Sequence, residues 1–166
     1  VVFHMGGPTR DAANGDEVWQ RVVDYLRASL DYAAAREIKL AVDGVWKGWL
    51  TDTPESFLQL HDDFGTHPYF GVNFDPCYLM LLGLDPVKVA HQWKKRIFHA
   101  HLKDHEGSWP DFEHLIPGRG VVDYPSVVQA LKDIGFDAAI SIETFPDMAF
   151  DDAVAEGYTV LKPAIQ

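Results

Sequence analysis

The sequence predicts an α/β fold built on parallel strands, and three observations predict it. Four short apolar stretches read as buried strands, helical patterns separate them, and each strand ends in a side chain able to bind a metal. The stretches are Ile38–Asp43, Phe70–Asp75, Phe98–His101 and Ala139–Glu143. Because side chains alternate across a strand, each segment divides by parity. One face carries Ile38, Leu40 and Val42; Phe70, Val72 and Phe74; Phe98 and Ala100; and Ile140 and Ile142, the surface that a layer of helices covers. The other face carries small or polar residues and finishes at Asp43, Asp75, His101 and Glu143. In a parallel sheet or barrel those four ends share one rim, where α/β proteins place their chemistry. Three carboxylates and one imidazole on a rim make a divalent metal the natural guest.

Each element has a local cause. Val1 to Met5 is an apolar run that opens as a strand, and Gly6-Gly7-Pro8 turns it. A helical pattern follows from Asp16 to Arg36, with apolar or small residues at Val18, Val22, Leu26, Leu30 and Ala33 and with Asn14 or Asp16 as cap. After the strand ending at Asp43 comes a loop with Trp46 and Trp49. Thr53-Pro54-Glu55 then starts a helix that runs to Phe64, threonine capping and proline in the first turn. The strand ending at Asp75 gives way to an irregular stretch, and Asp85-Pro86 starts a helix to Lys95 in the same manner. A strand from Ile97 to Lys103 precedes a long loop, Asp104 to Val122. Then comes a helix from Tyr124 that Gly135 terminates, the strand ending at Glu143, and a last helix from Phe150 to Lys162.

Strand and helix thus alternate through five units, which implies parallel pairing with right-handed crossovers. A closed eight-stranded (β/α) TIM barrel takes about 250 residues. Five units in 166 residues fit strands four to eight of such a barrel, a single domain over residues 1–166 whose N-terminal strands are missing. The chain opens at Val1, without an initiator methionine and inside an apolar run, as a missing N-terminal part requires. An open doubly wound sheet is the structural rival. It concentrates its site at one switch point, whereas here all four strand ends carry ligand-type residues.

Composition narrows the partners. With 47% hydrophobic residues the chain supports a folded core, and 25 acidic against 14 basic side chains give a net charge of -11. Nucleic acid and anionic membranes are repelled at that charge, so a small-molecule ligand is expected. The single Cys77 leaves no intramolecular disulfide. No signal peptide or membrane-length apolar run is apparent, and a cytoplasmic setting is the expectation.

Four motifs resemble one family. Asn73-Phe74-Asp75-Pro76, His99-Ala100-His101-Leu102-Lys103-Asp104, Pro117-Gly118-Arg119-Gly120 followed by Asp123-Tyr124, and Ser141-Ile142-Glu143 follow, in order and spacing, the xylose isomerase-like TIM barrels. That group includes sugar isomerases and epimerases, sugar phosphate isomerases and inosose dehydratases. The resemblance implies one divalent ion, manganese first and cobalt, magnesium or zinc as alternatives, held by Asp43, Asp75, His101 and Glu143. It also implies that Asp43 and Glu143 double as the base and acid of a proton transfer next to a carbonyl. Two departures stand out: the family's fifth-strand glutamate is Asp43 here, and a substrate-contacting histidine is Tyr78. A ligand shortened by one methylene draws its oxygens back by roughly 1.5 Å.

Tyr78, Lys103 and Arg119 are the expected substrate contacts, with Lys103 facing the pocket mouth or solvated, and with a surface salt bridge beside a glycine turn as the alternative for Arg119. His99 reads as a hydrogen-bonded histidine deeper on the same face as His101, His4 as a pocket-lining candidate, and Cys77 as a packed thiol. His61, His67, His91, His105 and His114 read as surface or loop residues. The long loop, with Trp109, Phe112 and Leu115, is expected to act as a lid, and Trp46 and Trp49 to wall the opposite side. Three activities remain open: a metal-dependent sugar isomerase or epimerase, an inosose dehydratase-like lyase, and a non-catalytic metal-binding fragment. The expected partners are a small carbohydrate and either a second copy or the missing strands.

Overall fold

Strand and helix alternate as the sequence pattern predicts. The computed structural model describes residues 1–6, 13–43, 46–65, 67–143 and 149–165. The turn expected at Gly6-Gly7-Pro8 falls largely outside them, as does Gly44. The chain divides into two units, Val1–Asn73 and Phe74–Gln166.

In the first unit, β1 (Val2–His4), β2 (Leu40–Asp43) and β3 (Phe70–Phe74) pair in that order, all parallel. The register sets His4 against Asp43 and Asp43 against Asn73, so three polar residues stand abreast at the carboxyl ends of the strands. Helix α1 (Gly15–Ala34) buries Trp19, Val23, Leu26, Leu30 and Ala33. Its core stripe is therefore turned from the expected one: Trp19 and Val23 point inward, and Val18 and Val22 flank them half-buried. Asn14 occupies the cap position without a side-chain hydrogen bond. The following strand starts at Leu40, not Ile38. Glu37 adopts φ 57, and the Ile38 amide donates to the Ala33 carbonyl, a left-handed closure of the helix that leaves Ile38 exposed. Helix α2 (Pro54–Asp63) starts as expected, with Thr53 and Ser56 forming a reciprocal capping box. His61, expected at the surface, is buried on α2 with its ring against Phe57 and Phe70.

The second unit begins with a helix that the pattern did not reveal, α3 (Pro76–Leu81). It starts where Asp75 Oδ1 accepts the Tyr78 amide, and proline fills the first turn. Helix α4 (Pro86–Trp93) is capped by Asp85 through the amides of Val87 and Lys88, and a 3-10 turn, Lys94–Arg96, leads into β4 (Ile97–Leu102). The stretch Asp104 to Val122, expected as a structureless loop, contains an antiparallel hairpin of β5 (Asp104–Ser108) and β6 (Asp111–Leu115). Helix α5 (Tyr124–Asp133), capped by Asp123, is followed by Gly135 at φ 72, then by β7 (Ile140–Ile142) and α6 (Phe150–Ile165). Strands β4 and β7 pair in parallel, His101 opposite Ser141, and the Glu143 amide donates to the Leu102 carbonyl. The core of this unit holds Phe74 edge-on to Trp93, with Leu102, Val127 and Leu131. No helix among the described residues is long and apolar enough to cross a membrane.

Candidate active site

The parallel register of β4 and β7 decides the geometry in the second unit. With His101 beside Ser141, the next inward position on each strand brings Lys103 and Glu143 together. Glu143 Oε2 lies 3.3 Å from His101 Nδ1 and accepts a 2.6 Å hydrogen bond from Lys103 Nζ. The same Nζ donates to Asp75 Oδ2 and lies 3.8 Å from the centre of the Tyr78 ring. Two of the four predicted ligands, Asp75 and Glu143, therefore gather about one ammonium, and a third, His101, joins them through Glu143.

Lys103 corrects an expectation. It was expected at the pocket mouth, and it is 0% exposed. Tyr124 donates a 2.6 Å hydrogen bond to the Lys103 carbonyl, so the backbone here is fixed by α5. Burial pulls the ammonium's pKa down, but Asp75, Tyr78 and Glu143 outweigh it and leave it raised. Burial likewise works against the Glu143 carboxylate, yet the hydrogen bond from His101 and the charge of Lys103 hold its pKa down at about 2. Tyr78 is pushed up to about 12, by burial first and against the opposing pull of Lys103. At neutral pH Glu143 is a carboxylate, Lys103 an ammonium and Tyr78 a neutral phenol.

The fourth predicted ligand, Asp43, belongs to the first unit and is buried there. Its Oδ1 accepts a 2.7 Å hydrogen bond from Asn73 Nδ2, and its Oδ2 lies 3.2 Å from His4 Nε2. His4 meets Trp49 edge-to-face at 5.5 Å, and Trp49 packs near Trp46 at 6.0 Å. The expectation that His4 lines the site thus acquires a partner, Asp43. Its place at the end of the first strand was its only signal in the sequence.

Arg119, expected to contact substrate or else to form a surface salt bridge, does the second, in a two-pronged ion pair with Glu156 on α6 at 2.5 and 2.7 Å. The glycines around it have separate causes. Gly118 adopts φ 95 beside Val160, and a side chain at Gly120 would collide with the His105 carbonyl and the Asp104 carboxylate. His99 bonds Ser141 Oγ at 2.9 Å and packs edge-on to His101, hydrogen-bonded as expected but half-buried and not in the core. Trp109 stacks on Phe112, which meets His114 edge-on, and His114 meets Tyr78. Cys77 is fully buried, as expected, and burial with the charge of Asp75 pushes its thiol well up. His105 and His114, expected at the surface, are corrected: His105 is buried and His114 half-buried. The hairpin hid them, because two short strands with charged alternation, Asp104-His105-Glu106 and Glu113-His114, carry little apolar signal.

The donor set suits a divalent ion. Two carboxylates and an imidazole from the second unit lie near one another, and Lys103 sits between the carboxylates as a fixed positive charge with which a divalent ion bound there would share them. Hard oxygen donors with one nitrogen fit manganese, magnesium, cobalt or zinc alike.

Residues 1–164 match the xylose isomerase-like TIM barrel family. An inosose isomerase of Bacillus licheniformis is 32% identical over 131 residues, covering 74% of this chain and 46% of the relative. A D-tagatose 3-epimerase-like protein of known structure superposes with a TM-score of 0.83 at 28% identity, covering 99% of this chain and 61% of that one. A second solved protein, crystallised with a bound zinc atom, has a TM-score of 0.81 at 22% identity over 99% of this chain and 62% of that one. The chain spans about half the length of the curated relatives it matches. Matched by that family over nearly every residue, the chain belongs to the xylose isomerase-like TIM barrels.

Proposed function

We propose that this chain carries the metal-binding half of a carbohydrate isomerase or epimerase. The observation that carries the reading is the gathering of Asp75 and Glu143 about Lys103, with His101 joined to them through Glu143. Asp43 is the fourth ligand of the reading, on its place at the end of its strand in the sequence pattern and its buried, hydrogen-bonded carboxylate. The family, the isomerase and epimerase names of its relatives, and the zinc bound by one of them support a metal-dependent reaction on a small carbohydrate. Manganese is the proposed ion. The single buried thiol accords with a cytoplasmic setting.

When bound, the ion supplies a Lewis acid for charge that develops on a carbonyl oxygen. The protein's own groups do the rest. Glu143, ionised well below neutral pH, is the base for a proton on the carbon beside the carbonyl. Asp43 is the second carboxyl group of the reading: it delivers a proton taken from solvent to the other face of the carbon, while the proton that Glu143 removed leaves to solvent. Lys103 holds Asp75 and Glu143 apart and aimed before any ligand arrives, which lowers the reorganisation that binding demands. His99 and Ser141 fix the His101 ring from behind. A lyase on the same scaffold is the second reading, favoured by the inosose dehydratases among the relatives that the chain resembles.

The test is solvent-deuterium exchange. The manganese-loaded chain is incubated with keto sugars and inosose in heavy water and followed by NMR. Isomerase chemistry predicts deuterium beside the carbonyl with the carbon skeleton intact, and Glu143→Gln abolishes it. An unsaturated product selects the lyase. No exchange above buffer contradicts both.

A further inference from the structure

The register of β2 and β3 sets Asp43 opposite Asn73, and that of β1 and β2 sets His4 opposite Asp43. All three residues lie in the first unit. The Asp43 carboxylate is divided between its two neighbours: Oδ1 accepts from Asn73 Nδ2 at 2.7 Å, and Oδ2 lies 3.2 Å from His4 Nε2. The two sides differ in access. Asn73 is 0% exposed, whereas the His4 side chain is 56% exposed and rests edge-on against Trp49. Oδ1 is thus held by a group sealed from solvent, and Oδ2 by a ring that reaches it.

The Asn73 amide adds a second observation. Its Oδ1 is buried without a hydrogen-bond partner among the described residues, and a buried amide oxygen left unmatched works against folding. Turning the amide over would set that oxygen against a carboxylate oxygen, so the nitrogen is the end that serves Asp43. An apolar side chain of the same size would bury no unmatched atom. What the amide supplies is therefore direction more than stability. The last torsion of an aspartate is soft, and a donor fixed on one oxygen holds the plane of the carboxylate.

We infer that Asn73 is a positioning residue for Asp43: by holding Oδ1 it presents Oδ2 as the one oxygen with which Asp43 ligates the ion. This rests on the reading of Asp43 as a metal ligand and adds how that ligand is aimed. An ion that takes Oδ2 displaces the exposed His4 ring and leaves the buried Asn73 bond in place. The carboxylate is then ordered before the ion arrives, and less freedom is lost on binding. A hydrogen bond that orients a metal ligand in this way is worth roughly ten- to a hundredfold in metal affinity.

Manganese affinity, measured by equilibrium dialysis, tests it with two substitutions at Asn73 and one control. Asn73→Leu keeps the volume and removes the donor, and Asn73→Ala removes both. Each is expected to weaken manganese binding roughly tenfold or more. Val72→Ala loosens the same strand from its other, fully buried face and is expected to leave the affinity close to that of the wild type. A further readout needs no variant: in the wild-type protein the side-chain amide signals of Asn73 in nitrogen–proton NMR are expected to shift saturably as diamagnetic magnesium is added. If the wild type binds manganese and a folded Asn73 variant binds it as tightly, or Val72→Ala weakens binding as much as they do, the inference is overturned while the metal reading stands. Amide signals that stay in place at saturating magnesium overturn it equally, and they decide alone where neither Asn73 variant folds. A folded wild-type chain that binds no manganese overturns the metal reading and this inference with it.

Discussion

Lys103 shows most clearly what a single residue contributes. Its ammonium is sealed from solvent between two carboxylates, and removing one partner of a buried ion pair leaves the others uncompensated. Lys103→Met is therefore expected to lower stability by about 3 kcal/mol or more at neutral pH, read from urea unfolding. Glu143 makes a second prediction through pH. Its folded pKa, about 2, lies below the ordinary 4.5, so it contributes stability above the ordinary value that is lost as pH falls toward the folded one. In Glu143→Gln that acid-side loss should vanish, which unfolding midpoints between about pH 5 and about pH 2 would reveal. An unchanged acid slope would mean that Lys103 and His101 do not engage the carboxylate in solution. The sequence marked Asp43, Asp75, His101 and Glu143 because strand parity and strand ends are local signals. It did not place Lys103 in the interior, since a lysine's burial depends on partners from other strands. Nor did it mark His105, whose burial depends on a hairpin.

At the scale of elements, the starts of helices were the most legible features. Thr53-Pro54 and Asp85-Pro86 each cap as their chemistry dictates, because a cap is decided within four residues. Thr53→Ala should cost about 1 kcal/mol, measured by thermal or urea unfolding, through loss of the capping box. Asp75 caps α3 with one oxygen, as an aspartate before proline can, while its other oxygen faces Lys103. The hairpin was illegible because neither strand carries an apolar run. Its anchor is the Asp104 carboxylate, which gathers three backbone amides, and Gly120, which has no room for a side chain against it. Asp104→Ala, leaving those amides unmatched, should cost about 3 kcal/mol. Gly120→Ala should likewise destabilise the second unit, with faster amide exchange in β5 and β6 than elsewhere in it. Equal protection in the two proteins would contradict the close approach.

For the whole chain, the alternation of strands and helices fixed the fold class, because period and spacing survive without knowledge of tertiary contacts. Family membership agrees with it over residues 1–164. The net charge of -11 accords with a protein whose ligand is a cation and a small polar molecule, and no basic surface is needed for either. Which sugar enters is set by groups distant in sequence, and neither pattern nor motif encodes them.

The central claim is that the strand ends hold a divalent ion, and manganese bound per chain tests it most directly. Manganese avoids thiolates, so it reports the carboxylate–imidazole site alone. Equilibrium dialysis of the folded wild-type protein should give close to one ion per chain, falling sharply in Glu143→Gln and in His101→Ala. A folded wild-type chain that binds no manganese, or binding indifferent to both substitutions, would contradict the account.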